Sequence, residues 1–403
     1  MTEKLRRTTI FAQSRMYVLL PLVALLLWLP DAAIAREREK DLGAKAAVLL
    51  DLTGAEASLG RPAMNGFVLA LQEAPIQNEP NLFATFLDTK TDPATTLLAA
   101  KSVISRVVVA AGFTDNDSVL LTGRLFQEAK IPFLSIGATD PSLPYVIGNR
   151  IFLTPFGDNT QAAAAAEFAM KEFGSTVAIL FDSTSQYTRT LPRYFHTRFE
   201  ELGGHVRLNA AYAGDCDIAS LGEQVRSLSP QPLFVYLAGL PECIGDIVAS
   251  LRSVGVTQPI IGGDGLDTPK LLGGPEGSTD RVWYTTHAWL SAETGTPLAQ
   301  KFIAAYEEAY GRPPEDAFAA LGYDAANLLL QVVQEAKKVR RRDILGALEH
   351  TQDFQGVTGT ISYTKNNHVP KKTVWIIRLT KGQPSLAAAL IPDVVPPPLL
   401  PPD

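Results

Sequence analysis

The feature of this sequence that most constrains its fold is a regular alternation of short apolar segments with helical patterns between residues 46 and 262. Ala46–Leu52 has the composition of a buried strand, and behind it Met64, Phe67 and Leu71 recur at the spacing of one helix face. Strand–helix–strand repetition of this kind predicts parallel sheets that are covered by helices.

The alternation occurs in two series, which the segment Phe152–Asp158 separates. Each series is long enough to form a sheet with its own core. The sequence therefore predicts an α/β protein with two doubly wound parallel-sheet lobes. The expected strands are 46–52, 82–87, 107–111 and 132–136 in the first series, and 176–181, 205–212, 233–238 and 259–262 in the second.

The pattern changes in the last third of the chain. Long helices are expected at 298–310 and 317–337, and two strands at 356–364 and 373–379. A polar segment joins these two strands, which is typical of a hairpin. We expect residues 386–403 to be a disordered Pro-rich tail, because proline lacks the backbone donor that helices and central strands need.

The amino terminus has the layout of a secretory signal. Basic side chains, among them Arg6 and Arg7, precede an apolar run at 17–29. As a helix this run spans roughly 20 Å, short of the ~30 Å hydrocarbon core of a bilayer, which disfavours the alternative of an uncleaved anchor. The small residues Ala33 and Ala35 fit a signal-peptidase site, so we predict a signal peptide at residues 1–35, cleaved after Ala35.

Composition and motifs exclude several classes of function. The net charge of −6 offers no basic surface for nucleic acid, whose binding depends on Lys and Arg at the phosphates. The sequence contains no nucleophile elbow, no metal-binding helix of the His-Glu-x-x-His type and no phosphate-binding loop. We therefore expect a protein that is not an enzyme and that uses no metal and no cofactor.

The chain has two cysteines, Cys216 and Cys243, and both follow expected strands. In an exported protein they could form a disulfide, because the ends of parallel strands lie along one edge of a sheet. Two free, half-buried thiols are the alternative. The sequence leaves both open, since it does not give the Cα separation that a disulfide requires.

A series of motifs in order along the chain resembles periplasmic binding proteins of the leucine/isoleucine/valine type, over about residues 42 to 382. The motifs are Asp51–Gly60, Met64–Ala70, Asp88–Ala94, Ala129–Leu143, Leu251–Gly255 and Phe354–Ile361. The resemblance implies a type I periplasmic binding protein, with a ligand held in the cleft between two lobes. Doubly wound sheets also bind ligands outside the carboxyl ends of their strands, which selects the same loops.

The resemblance further implies three crossover segments between the lobes. We place them near Thr154, near 285–288, and between about Phe354 and Ile361. The expected lobe boundaries follow from these crossings. Lobe I comprises residues 42–154 and 288–354, and lobe II comprises residues 155–287 and 355–385.

On the first lobe, the resemblance implies that the residue four positions after Gly112 contacts a ligand carboxylate. Asn116 stands there instead of the family's hydroxyl residue, and acids flank it. Helix capping is the alternative role for this segment. The candidate ligand-binding residues on this lobe are Leu59, Asn116, Ser118, Gly137 and Thr139, of which Thr139 keeps the family's residue type; an ordinary turn is its alternative role.

On the second lobe, Tyr187 matches an aromatic that closes over the ligand in the family. Asp264 stands where the family places the acid that pairs with a ligand ammonium, and a turn carboxylate is the alternative. Leu240 is the candidate for an apolar wall opposite Leu59, although both leucines could simply belong to the core.

These inferences predict a monomeric periplasmic solute-binding protein that delivers an amino acid or a related small polar ligand to the permease of an ABC importer. A ligand-sensing subunit that serves a receptor is the alternative function. Amides and aromatic acids are the alternative ligands.

Overall fold

The buried apolar segments form strands in two separate sheets. The computed structural model describes residues 43–74, 81–272, 275, 277–336 and 338–400, so the expected signal peptide at 1–35 lies outside the described residues. The first sheet is parallel and has the order β2-β1-β3-β4-β5. Its strands are β1 (Gly43–Leu50), β2 (Asn81–Asp88), β3 (Val109–Gly112), β4 (Phe133–Ser135) and β5 (Ile151–Leu153).

The second sheet has seven strands in the order β14-β13-β10-β9-β8-β6-β7. Strands β6 to β10 are parallel, whereas β13 and β14 join the edge in antiparallel orientation. Its strands are β6 (Thr176–Asp182), β7 (His205–Tyr212), β8 (Phe234–Ala238), β9 (Ile260–Gly262), β10 (Val282–Thr286), β13 (Val374–Thr380) and β14 (Gln383–Leu390). The expectation of two α/β lobes is confirmed.

Helices cover both sheets, and several of them begin at a side chain that caps the first turn. Asp92, for example, accepts a hydrogen bond of 2.7 Å from the backbone N–H of Thr95 in the first turn of its helix. The helices are α1 (Ala57–Glu73), α2 (Pro93–Val103), α3 (Asn116–Glu128), α4 (Leu143–Val146), α5 (Asp158–Glu172), α6 (Gln186–Glu201), α7 (Ala219–Ser227), α8 (Ile244–Ser253), α9 (Pro269–Leu272), α10 (Pro297–Tyr310), α11 (Ala317–Glu335) and α12 (Arg341–Glu349). None of the described helices is both long enough and apolar enough to cross a membrane.

Helices α1 and α11 cross at very short range in the core of the first lobe. A Cβ atom at Gly66 would overlap the carbonyl oxygen of Ala319, and one at Gly322 would overlap that of Ala63. Glycine at both positions therefore lets the two backbones touch. Together with α12, these helices cover the apolar side of β1 and β3.

The third crossover lies later in the chain than the sequence predicted. Residues 354–361 form a short hairpin of β11 (Phe354–Gly356) and β12 (Gly359–Ile361), which belongs to the core of the first lobe. Tyr363 and His368 remain there, because the Tyr363 hydroxyl donates to Leu153 O at 2.8 Å and the His368 ring stacks on Phe152. The placement of residues 355–363 in lobe II was therefore wrong.

The last two strands also differ from the prediction. The expected pairing of 356–364 with 373–379 does not form, because β13 pairs with β10 and with β14. Residues 386–390 of the expected disordered tail belong to β14, and the extended segment that follows contacts the second lobe. Asn159 Nδ2 donates to Pro396 O, and the Leu399 N–H donates to the Tyr194 hydroxyl, both at 2.7 Å. These side chains of α5 and α6 supply the hydrogen bonds that proline-rich backbone cannot make to itself.

A disulfide joins Cys216 and Cys243, whose Cα atoms are 5.0 Å apart. The two cysteines follow β7 and β8, which lie on either side of β6 in the second sheet. The bond therefore ties together two loops at the carboxyl edge of this sheet.

Candidate functional site

A cavity of about 260 Å³ lies between the two lobes, at the carboxyl ends of strands from both sheets. On the first lobe its walls come from the segments that follow β1, β2, β3 and β4, together with Phe318 of α11. On the second lobe they come from the segments after β6, β8 and β9. This is the location that the strand order of doubly wound sheets favours for ligands.

All eight residues that the sequence singled out as candidate ligand contacts lie in the wall of this cavity. They are Leu59, Asn116, Ser118, Gly137, Thr139, Tyr187, Leu240 and Asp264. Their contacts, however, differ from those that the resemblance implies. The sequence did not single out Glu56, Thr114 or Asp115, which line the cavity as well.

Asn116 is turned into the protein and organises the neighbouring loop. It is 2% exposed, and its Oδ1 accepts hydrogen bonds of 2.9 Å from the backbone N–H groups of Thr139 and Asp140. Its Nδ2 donates to Asp158 of the second lobe at 3.4 Å. The side-chain amide thus takes up the two backbone donors that could otherwise hold a ligand carboxylate.

Thr139 and Gly137 lie in that loop. A Cβ at Gly137 would come within 2.8 Å of the Phe318 ring, so glycine lets the loop pack against α11. The backbone carbonyl of Thr139 accepts a hydrogen bond of 2.7 Å from the Asp158 N–H. Burial raises the pKa of Asp158 well above its usual range, and the nearby Asp264 raises it further. Thr139 therefore reaches the cavity with both of its backbone polar groups already bonded within the protein.

Asp264 accepts three hydrogen bonds from the second lobe itself. Its Oδ1 accepts from Gln161 Nε2 at 2.7 Å and from the Tyr187 hydroxyl at 2.8 Å, and its Oδ2 is 2.9 Å from His287 Nε2. Burial by itself raises the pKa of Asp264, but the hydrogen bonds from His287, Gln161 and Tyr187 outweigh it, and the pKa is lowered. Asp264 is 3% exposed, and these three hydrogen bonds stabilise its negative charge.

The partner of Asp264, His287, is neutral in this network. Its Nδ1 is buried and makes no hydrogen bond within the described part of the chain, so a proton there would be a buried donor without an acceptor. Burial also lowers the pKa of His287. Nε2 therefore carries the proton and donates it to Asp264, and the pair keeps one negative charge.

The buried polar atoms of the cavity wall that have no partner among the described residues lie on the first lobe. Asp115 caps α3 with one carboxylate oxygen, which accepts from Ser118 N at 2.7 Å, while its Oδ2 has no partner among the described residues. The hydroxyl of Thr114, which is 6% exposed, likewise has none in the ranges that the structure covers. Phe113, just before them, has a φ of 55°, a backbone conformation that turns the chain sharply between β3 and α3.

The acids of the first lobe hold their protons more tightly than usual. Burial, together with a smaller contribution from the nearby Asp115, raises the pKa of Glu56 to about 8. Burial raises the pKa of Asp115 to about 7, with a further contribution from Asp51. Near neutral pH these two carboxyls therefore exchange protons readily, unlike Asp264.

The charged residues of the cavity wall are all acidic: Glu56, Asp115, Asp117 and Asp264. No Lys, Arg or His is among the described residues that line it. No group of three or more His, Cys, Asp or Glu in the same ranges is arranged to hold a metal ion. The wall thus offers carboxyl and hydroxyl groups to a ligand, and no cationic side chain among the described residues.

The two lobes also contact each other directly beside the cavity. The backbone N–H of Gln186, at the start of α6, donates to Asp117 at 3.1 Å, and its Nε2 donates to Asp140 at 2.6 Å. The Ser185 hydroxyl also lies 3.4 Å from Asp117. These hydrogen bonds hold the amino end of α6 against the first lobe.

Comparison with known proteins assigns this chain to a described family. The sequence model of a family described as periplasmic binding protein matches residues 43–384. The structure of a leucine binding protein, LivK, from Thermotoga maritima MSB8 superimposes with a TM-score of 0.80 and 29% identity, and the match covers 87% of this chain and 99% of that one. A branched-chain amino acid transporter substrate binding protein, LivJ, from Streptococcus pneumoniae, in complex with isoleucine, has a TM-score of 0.78, 22% identity, and coverage of 88% and 100%.

Two further similar proteins are described, one as a complex with benzoate and one as an amino acid binding protein. An ABC transporter solute binding protein from R. palustris, in complex with benzoate, has a TM-score of 0.77 and 19% identity, with coverage of 89% of this chain and 99% of that one. A curated amino acid binding protein of Pseudomonas aeruginosa is 22% identical over 234 residues, which are 56% of this chain. The match spans 62% of the length of that curated relative.

Proposed function

Because this chain belongs to the periplasmic binding protein family, we propose that it captures a small polar ligand, an amino acid or a related amide, between its two lobes in the periplasm and delivers it to an ABC importer. The observation that carries this proposal is the cavity of about 260 Å³, because its walls come from both lobes. A ligand that contacts both walls favours the closed arrangement over any open one.

The crossover segments provide the place where the lobes can move. At the first and second crossovers, the Phe156 ring lies 3.9 Å from that of His287. At the first and third, Lys372 Nζ donates to Thr154 O at 2.8 Å. The crossovers therefore contact one another at one side of the cavity, which suits a hinge, while the contacts of Gln186 can form and break.

The acidic side chains of the cavity wall favour some chemical classes of ligand over others. Four acids and no basic side chain line the described wall, which favours a ligand that brings N–H donors. The similar structures contain isoleucine in one case and benzoate in another. An aromatic acid brings a carboxylate and no N–H donor to this acidic wall, whereas an amino acid or an amide supplies N–H donors, so these two classes fit the cavity better.

A thermal-shift screen of the purified protein tests this proposal. Amino acids, amides and aromatic carboxylates are added at millimolar concentration, and we expect members of the first two classes to raise the melting temperature. Because binding stabilises by RT ln(1 + [L]/Kd), a ligand at about 100 times its Kd adds about 2.7 kcal/mol. If no compound of the three classes shifts the melting temperature, the proposed capture function is wrong.

Two matched variants show whether binding occurs in the cavity. Leu240→Trp adds bulk to the cavity wall and is expected to abolish the shift, because the indole fills part of the space. Leu98→Trp makes the same change at a side chain that is 69% exposed on α2, and is expected to retain the shift. An equal loss in both variants would place the binding elsewhere.

A further inference from the structure

The polar groups of the cavity differ in whether the protein itself already uses them. Asp264 and Asn116 have their hydrogen-bonding capacity largely filled by other residues of the chain. Thr114 Oγ1 and Asp115 Oδ2 are buried and lack partners among the described residues. A buried polar atom without a partner is costly, and at a cavity wall the partner that relieves this cost is a ligand.

Glu56 completes this group. Its side chain lines the same cavity and accepts no hydrogen bond from the described residues, while its backbone N–H donates to the Thr91 hydroxyl at 2.9 Å. Its carboxyl lies near enough to Asp115 for the two charges to oppose each other. Two carboxyls that share one small cavity attract a positive group between them more strongly than either does alone.

We propose that a cationic nitrogen group of the ligand binds on the first lobe, between the carboxyls of Glu56 and Asp115 and beside the hydroxyl of Thr114. This inference rests on the proposed function and identifies its ligand class as small organic cations with a primary ammonium or a guanidinium. Asp264 is then a positioning residue, which fixes the Tyr187 ring through the hydrogen bond of 2.8 Å to its hydroxyl.

The first lobe also favours cationic ligands because two of its backbone donors are not available to an anion. The N–H groups of Thr139 and Asp140 donate to Asn116 Oδ1, so they are not free for a ligand carboxylate. A cation that has no carboxylate is therefore expected to bind almost as tightly as an amino acid. The source of the nitrogen, an α-ammonium or a side-chain cation, is distinguished by the choice of compounds below.

Proton release gives a signature of this site. In the free protein Glu56 and Asp115 have pKa values of about 8 and about 7, and burial is the main cause of both. A bound cation stabilises their ionised forms and lowers both pKa values. Binding at pH 7 therefore expels on the order of one proton, and affinity rises from pH 6 to pH 8.

The experiment is isothermal titration calorimetry of the wild-type protein with L-arginine, L-lysine, putrescine, L-leucine and benzoate, in buffers of different ionisation enthalpy. We expect cations to bind with proton release. Binding by L-leucine identifies the α-ammonium as a sufficient group, and binding by putrescine shows that no carboxylate is needed. Binding of benzoate alone, with proton uptake, would overturn the inference while leaving the capture function intact.

Single substitutions distinguish binding at this site from attraction of the cation by the overall negative charge of the protein. Glu56→Gln and Asp115→Asn are each expected to weaken binding of the cation by roughly 10- to 100-fold, the value of one charge-assisted hydrogen bond. Both should reduce the number of protons released. Glu128→Gln, an exposed acid at the far end of α3, is the control and should change affinity less than about twofold. Unchanged affinity and proton release in both cavity variants would refute the proposal.

Discussion

The two walls of the cavity contain similar acids in opposite states. On the second lobe, Asp264 is saturated by three hydrogen bonds and ionised. On the first lobe, Glu56 and Asp115 have raised pKa values, and Asp115 Oδ2 has no partner among the described residues. Residue type and position along a wall therefore do not decide which acid is available to a ligand, because the hydrogen-bond partners already present decide it.

The difference also indicates that the two walls contribute differently to ligand binding. The first wall supplies unfilled polar groups, whereas the second supplies a rigid surface that contains Tyr187 and Leu240. The Tyr187 hydroxyl donates to Asp264 and accepts the Gly265 N–H at 3.0 Å, so its ring has a fixed orientation before any ligand arrives. A pre-ordered closing surface loses less conformational entropy on binding.

The largest expected effect is on stability, at Asp264. Asp264→Ala leaves Gln161, Tyr187 and the neutral His287 with buried donors that lack acceptors. Breaking a buried charged network costs about 3 to 5 kcal/mol of the free energy of unfolding. Urea denaturation of the variant measures this loss.

The comparison of walls predicts the opposite behaviour for Glu56→Gln. No described residue donates a hydrogen bond to this carboxyl, so its removal should change the free energy of unfolding by less than about 1 kcal/mol. Equal losses in the two variants would show that the acids of both walls are structural and that the walls do not differ in this respect.

The second expected effect concerns the disulfide of the second lobe. The cysteines are 27 residues apart, and closing a loop of that length stabilises the folded state by about 3 to 4 kcal/mol in the chain-entropy model. We expect the double variant Cys216→Ser, Cys243→Ser to lose stability by this order, and a strong reductant to do the same to the wild type. The double variant serves as the control, because reductant should not affect it. A wild type insensitive to reductant would contradict the prediction.

The third and smallest effect is a pH dependence that arises from the first wall. Glu56 and Asp115, with folded pKa values of about 8 and about 7, bind more protons in the folded than in the unfolded chain between about pH 4 and pH 8. The free energy of unfolding therefore falls as pH rises through this range. We expect the wild type to lose about 1 to 2 kcal/mol between pH 5 and pH 8 relative to the double variant Glu56→Gln, Asp115→Asn, after allowance for solvent screening. Parallel pH profiles of the two proteins would show that these acids titrate normally.

The fold was largely readable from local patterns. The alternation of strands and helices indicated two sheets. The resemblance to periplasmic binding proteins indicated the candidate wall residues, and the rule that ligands bind at the carboxyl ends of strands selected the same loops, which line the cavity. The end of the chain was harder to predict. The pairing of β13 with β10 joins residues about 90 positions apart, and a hairpin signal describes only neighbouring segments.

The state of the site was not predictable from sequence in the same way. Asp264 receives its partners from Gln161 and His287, which lie 103 and 23 residues away. Asn116 was recognised as a departure from the family, but its contact with the N–H of Thr139 depends on how two loops meet. For Asp115, the capping pattern was a visible signal, whereas the direction of its second oxygen was not.

The most direct test of the cation site is a crystal structure of the protein with whichever of L-arginine, L-lysine or putrescine binds most tightly. We expect a ligand nitrogen about 3 Å from the carboxylate oxygens of Asp115 and Glu56. We also expect that the ring of Tyr187 covers the ligand and that Asp264 keeps its hydrogen bond to His287. A ligand nitrogen bound to Asp264, with a ligand carboxylate at Thr139 in place of the Asn116 amide, would contradict the proposed site.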